Sequence, residues 1–176
     1  DGDDCISLSK AYQAVGDEKK AHIFYKEGVR NLSQDCSKNV EKECVHSPTS
    51  LDSDECKSDV GDACLSLALL KTDELREESA KEDFVRACDL KQADACFLLA
   101  QLHIKEGIYL KAGERLTQAC FAVKKDINCK EHRCLLSRQF ACPELGRVEM
   151  ELGRNDRARN ILVSDCEMGM GNPKSC

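Results

Sequence analysis

Residues 145–162, LGRVEMELGRNDRARNIL, with Cys142 three positions ahead of them, decide the fold. Leu145 is followed by Gly146, where the lack of a side chain lets a second helix approach closely. Gly153 interrupts the pattern, and Ala158 and Leu162 then resume an apolar face four residues apart, the spacing of one side of a helix. The stretch therefore predicts a helix, a tight turn at the glycine and a second helix.

The same landmarks recur in three more copies with no gap inside the unit. Counted from an opening cysteine, an apolar residue stands three positions on, a small residue four on, Ala sixteen on, and an aromatic residue or Leu twenty on. The copies read Cys5, Leu8, Ser9, Ala21, Tyr25; Cys64, Leu67, Ala68, Ala80, Phe84; Cys96, Leu99, Ala100, Ala112, Leu116; and Cys142, Leu145, Gly146, Ala158, Leu162. Gly16, Gly107 and Gly153 share one turn position, which the second copy fills without glycine. One amphipathic hairpin cannot bury its own apolar face, so the copies are expected to stack. The predicted fold class is all-α, a right-handed α/α solenoid forming a single repeat domain over 1–176. Its parts are repeat 1 (about 3–36), an insertion at 37–56, repeat 2 (about 61–88), repeat 3 (about 93–120), an insertion at 121–134, repeat 4 (about 139–166), and the start of a further repeat at 167–176.

Charge narrows the function. Lys and Arg total 26 against 32 Asp and Glu, a net −6, so the chain lacks the cationic excess that neutralises phosphates and is not expected to bind nucleic acid. No run is apolar enough for a membrane span. The start, Asp1-Gly2-Asp3-Asp4, has no basic or apolar leader region and reads as a mature, trimmed chain. Thirteen cysteines in 176 residues contain no C-x2-C pair, which disfavours a zinc ribbon or a thioredoxin-like motif. Instead C-x7-C occurs at 36/44, 56/64, 88/96 and 134/142, and C-x23-C at 64/88, 96/120 and 142/166. Regular spacing of this kind predicts a disulfide framework, and with it an oxidising location, secreted or periplasmic.

These residues resemble the tetratricopeptide repeat, and more specifically its cysteine-rich Sel1-like relatives. The tetratricopeptide landmarks are carried by LSKAYQAVGDEKKAHIFYKEG (8–28) and by 145–162. The Sel1-like character lies in RACDLKQADACFLLAQLH (86–103), where a cysteine ending one hairpin precedes by eight residues the cysteine opening the next, as in the secreted Helicobacter cysteine-rich proteins. The x7 spacing favours Cys36–Cys44, Cys56–Cys64, Cys88–Cys96, Cys134–Cys142 and Cys166–Cys176, with Cys120–Cys129 as the remainder. The enlarged junctions also allow a nested scheme, Cys36–Cys64 around Cys44–Cys56 and Cys120–Cys142 around Cys129–Cys134, because sequence does not fix pairing. Cys5 is left over in both, as expected if its partner belonged to a trimmed segment.

The resemblance implies that first helices line a concave groove. The positions just after the opening cysteine and at about +5, +8 and +9 would face it: Ile6, Lys10, Gln13 and Ala14; Leu65, Leu69, Thr72 and Asp73; Phe97, Gln101, Ile104 and Lys105; Pro143, Arg147, Met150 and Glu151. Phe97, Ile104 and Met150 suit apolar side chains, and Lys10, Lys105 and Arg147 suit carboxylates. Phe97, Leu65 and Leu69 equally suit packing between neighbouring helices. The expected function is a protein–protein interaction module binding a protein or extended peptide on this face, as a monomer or a homodimer. No cofactor, metal or catalytic residue is expected. Cys129, His132 and Cys134 do not form a recognised zinc site, and His22 and His103 suit helix surface or packing. An alternative is a penicillin-binding or β-lactamase-like protein using Ser7-Leu8-Ser9-Lys10, although the accompanying S-D-N and K-T-G motifs are missing. Another is an inhibitor or immunity protein of a periplasmic enzyme, reading its target through 37–56 and 121–134.

Overall fold

A computed structural model describes residues 2–38, 53–73, 77–125 and 135–167. These form eight helices: α1 (Gly2–Ala14), α2 (Glu18–Ser37), α3 (Ser53–Asp73), α4 (Glu77–Asp89), α5 (Ala93–Lys105), α6 (Tyr109–Lys125), α7 (Leu135–Glu151) and α8 (Asn155–Glu167), with no strand among the described residues. They pair as four hairpins, one for each sequence unit. The all-α class, built of disulfide-linked helical hairpins, is what the landmarks predicted. Two first helices begin earlier than the repeat pattern suggests. α3 starts at Ser53 and α7 at Leu135, the latter carrying Pro143 inside the helix. The repeat landmarks report where helices touch, and a helix can extend well beyond its last contact.

The turns follow from backbone sterics. Gly16, Gly107 and Gly153 have φ of 80°, 73° and 72°, a left-handed conformation that costs an L side chain about 1–2 kcal/mol. Open space surrounds all three, so conformation alone selects glycine. Each closes the same pair of bonds at its helix end. Gly16 N–H donates to the Gln13 carbonyl and Asp17 N–H to that of Tyr12; Gly107 and Ile108 donate to Ile104 and His103; Gly153 and Arg154 donate to Met150 and Glu149. Asp17 then caps α2 by accepting from the Lys20 N–H at 3.2 Å.

The chain forms two compact units, residues 1–90 and 91–176. In the first, α1 packs on α2, α2 on α3 and α3 on α4. Ile6, Ala21, Leu32, Leu67, Ala80 and Phe84 are buried there, and Lys71 Nζ meets Asp83 Oδ2 at 2.5 Å between α3 and α4. In the second, α5 packs on α6, α6 on α7 and α7 on α8, with α5 also reaching α7. Leu99, Leu116, Leu145 and Val148 fill that core. The small residue after each landmark Leu is buried. Ser9 is buried and its hydroxyl donates to the Ala21 carbonyl at 2.7 Å. Ala68 and Ala100 are fully buried. A Cβ on Gly146 would stand 2.6 Å from Leu162 Cδ2.

The disulfides correct the x7 pairing. Cys36 bonds Cys64 rather than Cys44, and Cys120 bonds Cys142 rather than Cys129, with Cα–Cα distances of 4.7 and 4.9 Å. This is the outer bond of the nested scheme at both junctions. The physical reason is stacking, which places the end of one hairpin's second helix beside the first helix of the next. Side-chain direction and a Cα separation near 5 Å then choose the partner over proximity along the chain. Cys88, Cys96 and Cys166 are also disulfide-bonded, and Cys5 is a free thiol. Cys44, Cys129, Cys134 and Cys176, the Cys56 side chain, and most of the 37–56 and 121–134 insertions lie outside the described residues.

Candidate partner-binding face

In the second unit, three contacts join α5 to α7 at one constant offset. The Ser137 N–H and hydroxyl donate to Asp94 Oδ1 at 2.9 and 2.7 Å. The Phe97 and Phe140 rings lie 6.3 Å apart at 28°. Gln101 Nε2 donates to Glu144 Oε1 at 3.3 Å. Residues 94, 97 and 101 meet 137, 140 and 144, so the two helices run parallel and in step, and both stripes follow the i, i+3, i+7 spacing of one helix face. Asp94 is buried and accepts from an N–H in the first turn of α7, one of the donors a helix start leaves unpaired. It caps its neighbour from outside.

Beyond this contact the seam becomes exposed. Phe97 is 9% exposed and packs beneath, while Phe140 leaves 39% of its surface open. Along α7 come Glu144, Arg147, Met150 and Glu151. Arg147 Nε donates to Glu144 Oε2 at 3.1 Å and its Nη2 to Oε1 at 2.5 Å, a two-pronged pair. The guanidinium holds the Glu144 carboxyl below its usual range against the opposing effect of partial burial, and Gln101 adds a smaller push in the same direction. Glu144 in turn raises the Arg147 pKa, helped by the fields of Glu151 and Tyr109. Met150 is 49% exposed, Glu151 and Lys105 are exposed, and Gln101 and Ile104 are half-buried. The result is an aromatic edge and a thioether flanking a charge-paired arginine, with acid and base on either side.

The sequence-derived positions divide accordingly. Lys10, Gln13 and Ala14 are exposed on α1, whereas Ile6 belongs to the core. Leu69 and Asp73 are exposed on α3, while Leu65 and Thr72 are half-buried, with Thr72 Oγ1 donating to the Ala68 carbonyl at 2.9 Å. Phe140 and Glu144 were missed because one lies two residues before the opening Cys142 and the other two after it, and the positions considered were the first after the cysteine and about +5, +8 and +9. The signal was present: residues 140, 144, 147 and 151 fall at i, i+4, i+7 and i+11, one face of one helix.

The other candidate chemistries find their places too. Ser7 and Lys10 stand one turn apart on the exposed side of α1. His22 is exposed on α2, and His103 is buried with Nδ1 3.4 Å from Glu106 Oε2. Among the described residues, no three His, Cys, Asp or Glu side chains gather as metal ligands, and no helix is long and apolar enough to cross a membrane.

Neither a protein-family model nor a curated protein matches the chain. Among solved structures it is similar to a Podosopora anserina protein with nearly identical TPR-like repeats, assigned as a kinesin light chain. Sequence identity is 16%, the match covers 94% of this chain and 73% of that one, and the TM-score is 0.54. A likeness at that identity speaks to fold alone: the chain has a TPR-like repeat fold.

Proposed function

We propose that the protein is a secreted or periplasmic interaction module of Sel1-like character that binds a protein or extended peptide on the face where α5 and α7 meet. The observation that carries this reading is the exposed row along α7, in which Phe140 and Met150 flank the Glu144–Arg147 pair. Exposed apolar surface bordered by polar groups is the usual composition of a recognition patch. Arg147 is prepaired, so a partner carboxylate takes over a guanidinium already held in place rather than ordering a free side chain. Lys105, Gln101, Ile104 and Glu151 border the patch. The bonded cysteines support an oxidising compartment.

The test is partner capture from secreted or periplasmic extract with three variants. Phe140→Ser and Arg147→Glu should each lose a partner that the unaltered protein retains, while Val163→Ser, on the half-exposed surface of α8, should keep it. Equal retention by all three would remove the α5/α7 face as the binding site.

A further inference from the structure

Each second helix carries one outward row of side chains, at 14, 18, 21 and 25 positions after its hairpin's opening cysteine. That is the i, i+4, i+7, i+11 spacing of a single helix face. The row is open in the middle of the chain as well as towards its ends: Glu78 and Glu82 are exposed on α4, Leu110 and Phe121 on α6, and Val163 on α8. On α2 it reads Lys19, Ile23, Lys26 and Arg30, all exposed, with Ile23 at 62%. On α4 the same four positions read Glu78, Glu82, Val85 and Asp89, and on α6 and α8 they hold no Lys or Arg.

The basic row stands out from its surroundings. The first unit, residues 1–90, has 12 Lys and Arg against 21 Asp and Glu, yet three of those twelve bases share one outward row of four. The acidic row lies on a neighbouring helix of the same unit. α2 and α4 end side by side, where Arg86 Nη2 donates to the Lys38 carbonyl at 2.6 Å. Arg30 is paired with Glu27 on its own helix, and Asp89 already has an interaction within the protein. Lys19, Lys26, Glu78 and Glu82 form no ion pair among the described residues. Two lysines and two glutamates at matching positions are therefore left to solvent, with Ile23 and the half-buried Val85 between them.

We propose that the outward rows of α2 and α4 form an isologous interface between two copies of this chain, α2 of each copy lying on α4 of the other. A two-fold axis along the helices makes both contacts at once and sets the paired helices in the same direction and register. Lys19 then meets the partner's Glu78. In the middle of the rows facing side chains interleave, so that Lys26 reaches the partner's Glu82 and Ile23 packs on the partner's Val85, and symmetry repeats each contact. Charge complementarity selects a second copy as the occupant. An acidic segment would suit α2 and be repelled by α4, and a basic one the reverse, whereas a second copy brings both signs at the same spacing. Exposed ion pairs are individually weak and screened by salt, so the dimer is a low-affinity, salt-sensitive one. This interface belongs to the first unit and the α5/α7 face to the second, and either can fail without the other.

The test is sedimentation equilibrium of the oxidised full-length chain carrying Cys5→Ser, which removes any intermolecular disulfide through that thiol. The protein should show a monomer–dimer equilibrium whose dissociation constant rises about tenfold between roughly 0.03 and 0.3 M salt. Lys19→Glu with Lys26→Glu, and separately Glu78→Lys with Glu82→Lys, should each weaken association by about a hundredfold, because each sets like charge against like on both sides of the axis. Mixing these two variants in equal amounts should restore a dimer, and so should all four changes in one chain. That rescue separates a lost interface from a lost fold. A protein that stays monomeric at low salt and millimolar concentration would overturn the proposal. So would a dimer that survives either double reversal, or a mixture and a four-change chain that both stay monomeric.

Discussion

Single atoms decide the tightest points of this protein. Gly146 lets α7 and α8 meet, and a methyl group there would have to displace the Leu162 side chain by roughly an ångström from the 2.6 Å contact it would make. Gly146→Ala should therefore destabilise by about 1–3 kcal/mol, read as a lower urea midpoint at unchanged slope. Asp94 acts at the same scale. Asp94→Ala removes the acceptor for both the Ser137 N–H and hydroxyl and should cost about 1–3 kcal/mol, whereas Asp94→Asn keeps one carbonyl oxygen and should recover part of it. Glu144 adds a pH dependence. Its pKa in the folded state lies below its unfolded value, so the Arg147 pair contributes fully above the ordinary carboxylate range and is lost as pH falls through the lowered pKa. Urea midpoints measured across that acid range should fall less steeply for Glu144→Gln.

At the scale of the helix and its turn, one position departs from the glycine rule. Lys91, just before α5, holds φ at 67° where the chain elsewhere uses glycine for the same left-handed conformation. Lys91→Gly should raise stability by about 0.5–1 kcal/mol, the relief of side-chain strain exceeding the added freedom of the unfolded chain, while Gly153→Ala should lower it by a similar amount. Thermal melts of the two variants should move in opposite directions. The hairpins were legible in the sequence because each landmark answers a local steric demand: no bulk at Gly146, a left-handed φ at Gly153, an apolar face four residues apart. Phe140 and Glu144 were harder to read. Their role comes from a neighbour 43 positions back in the chain, a partnership no local periodicity announces.

For the whole molecule, the disulfides change what holds the hairpins together. Cys36–Cys64 and Cys120–Cys142 close loops of sequence separation 28 and 22, each worth about 3–4 kcal/mol in the chain-entropy account, somewhat more than the nine-residue loops of the x7 scheme. The paired change Cys36→Ser with Cys64→Ser should lower the melting temperature markedly by circular dichroism, and reduction of every bond should lower it further. The cysteine spacing along the chain made a disulfide framework readable but not the pairing. Spacing measures distance through the backbone, and bonding follows from which helix lies alongside.

The parallel seam of α5 and α7 has one more consequence. Its rungs at 94/137, 97/140 and 101/144 are three and then four residues apart, or about 4.5 and 6 Å at the helical rise. An extended chain lying along it presents same-side residues every ~6.6 Å. For a peptide bound as proposed, two rulers with unequal divisions would align over only a few marks, so the seam would work as a vernier. It would favour a short motif with two or three anchors, and lengthening the motif beyond them would add contact area without adding matched contacts.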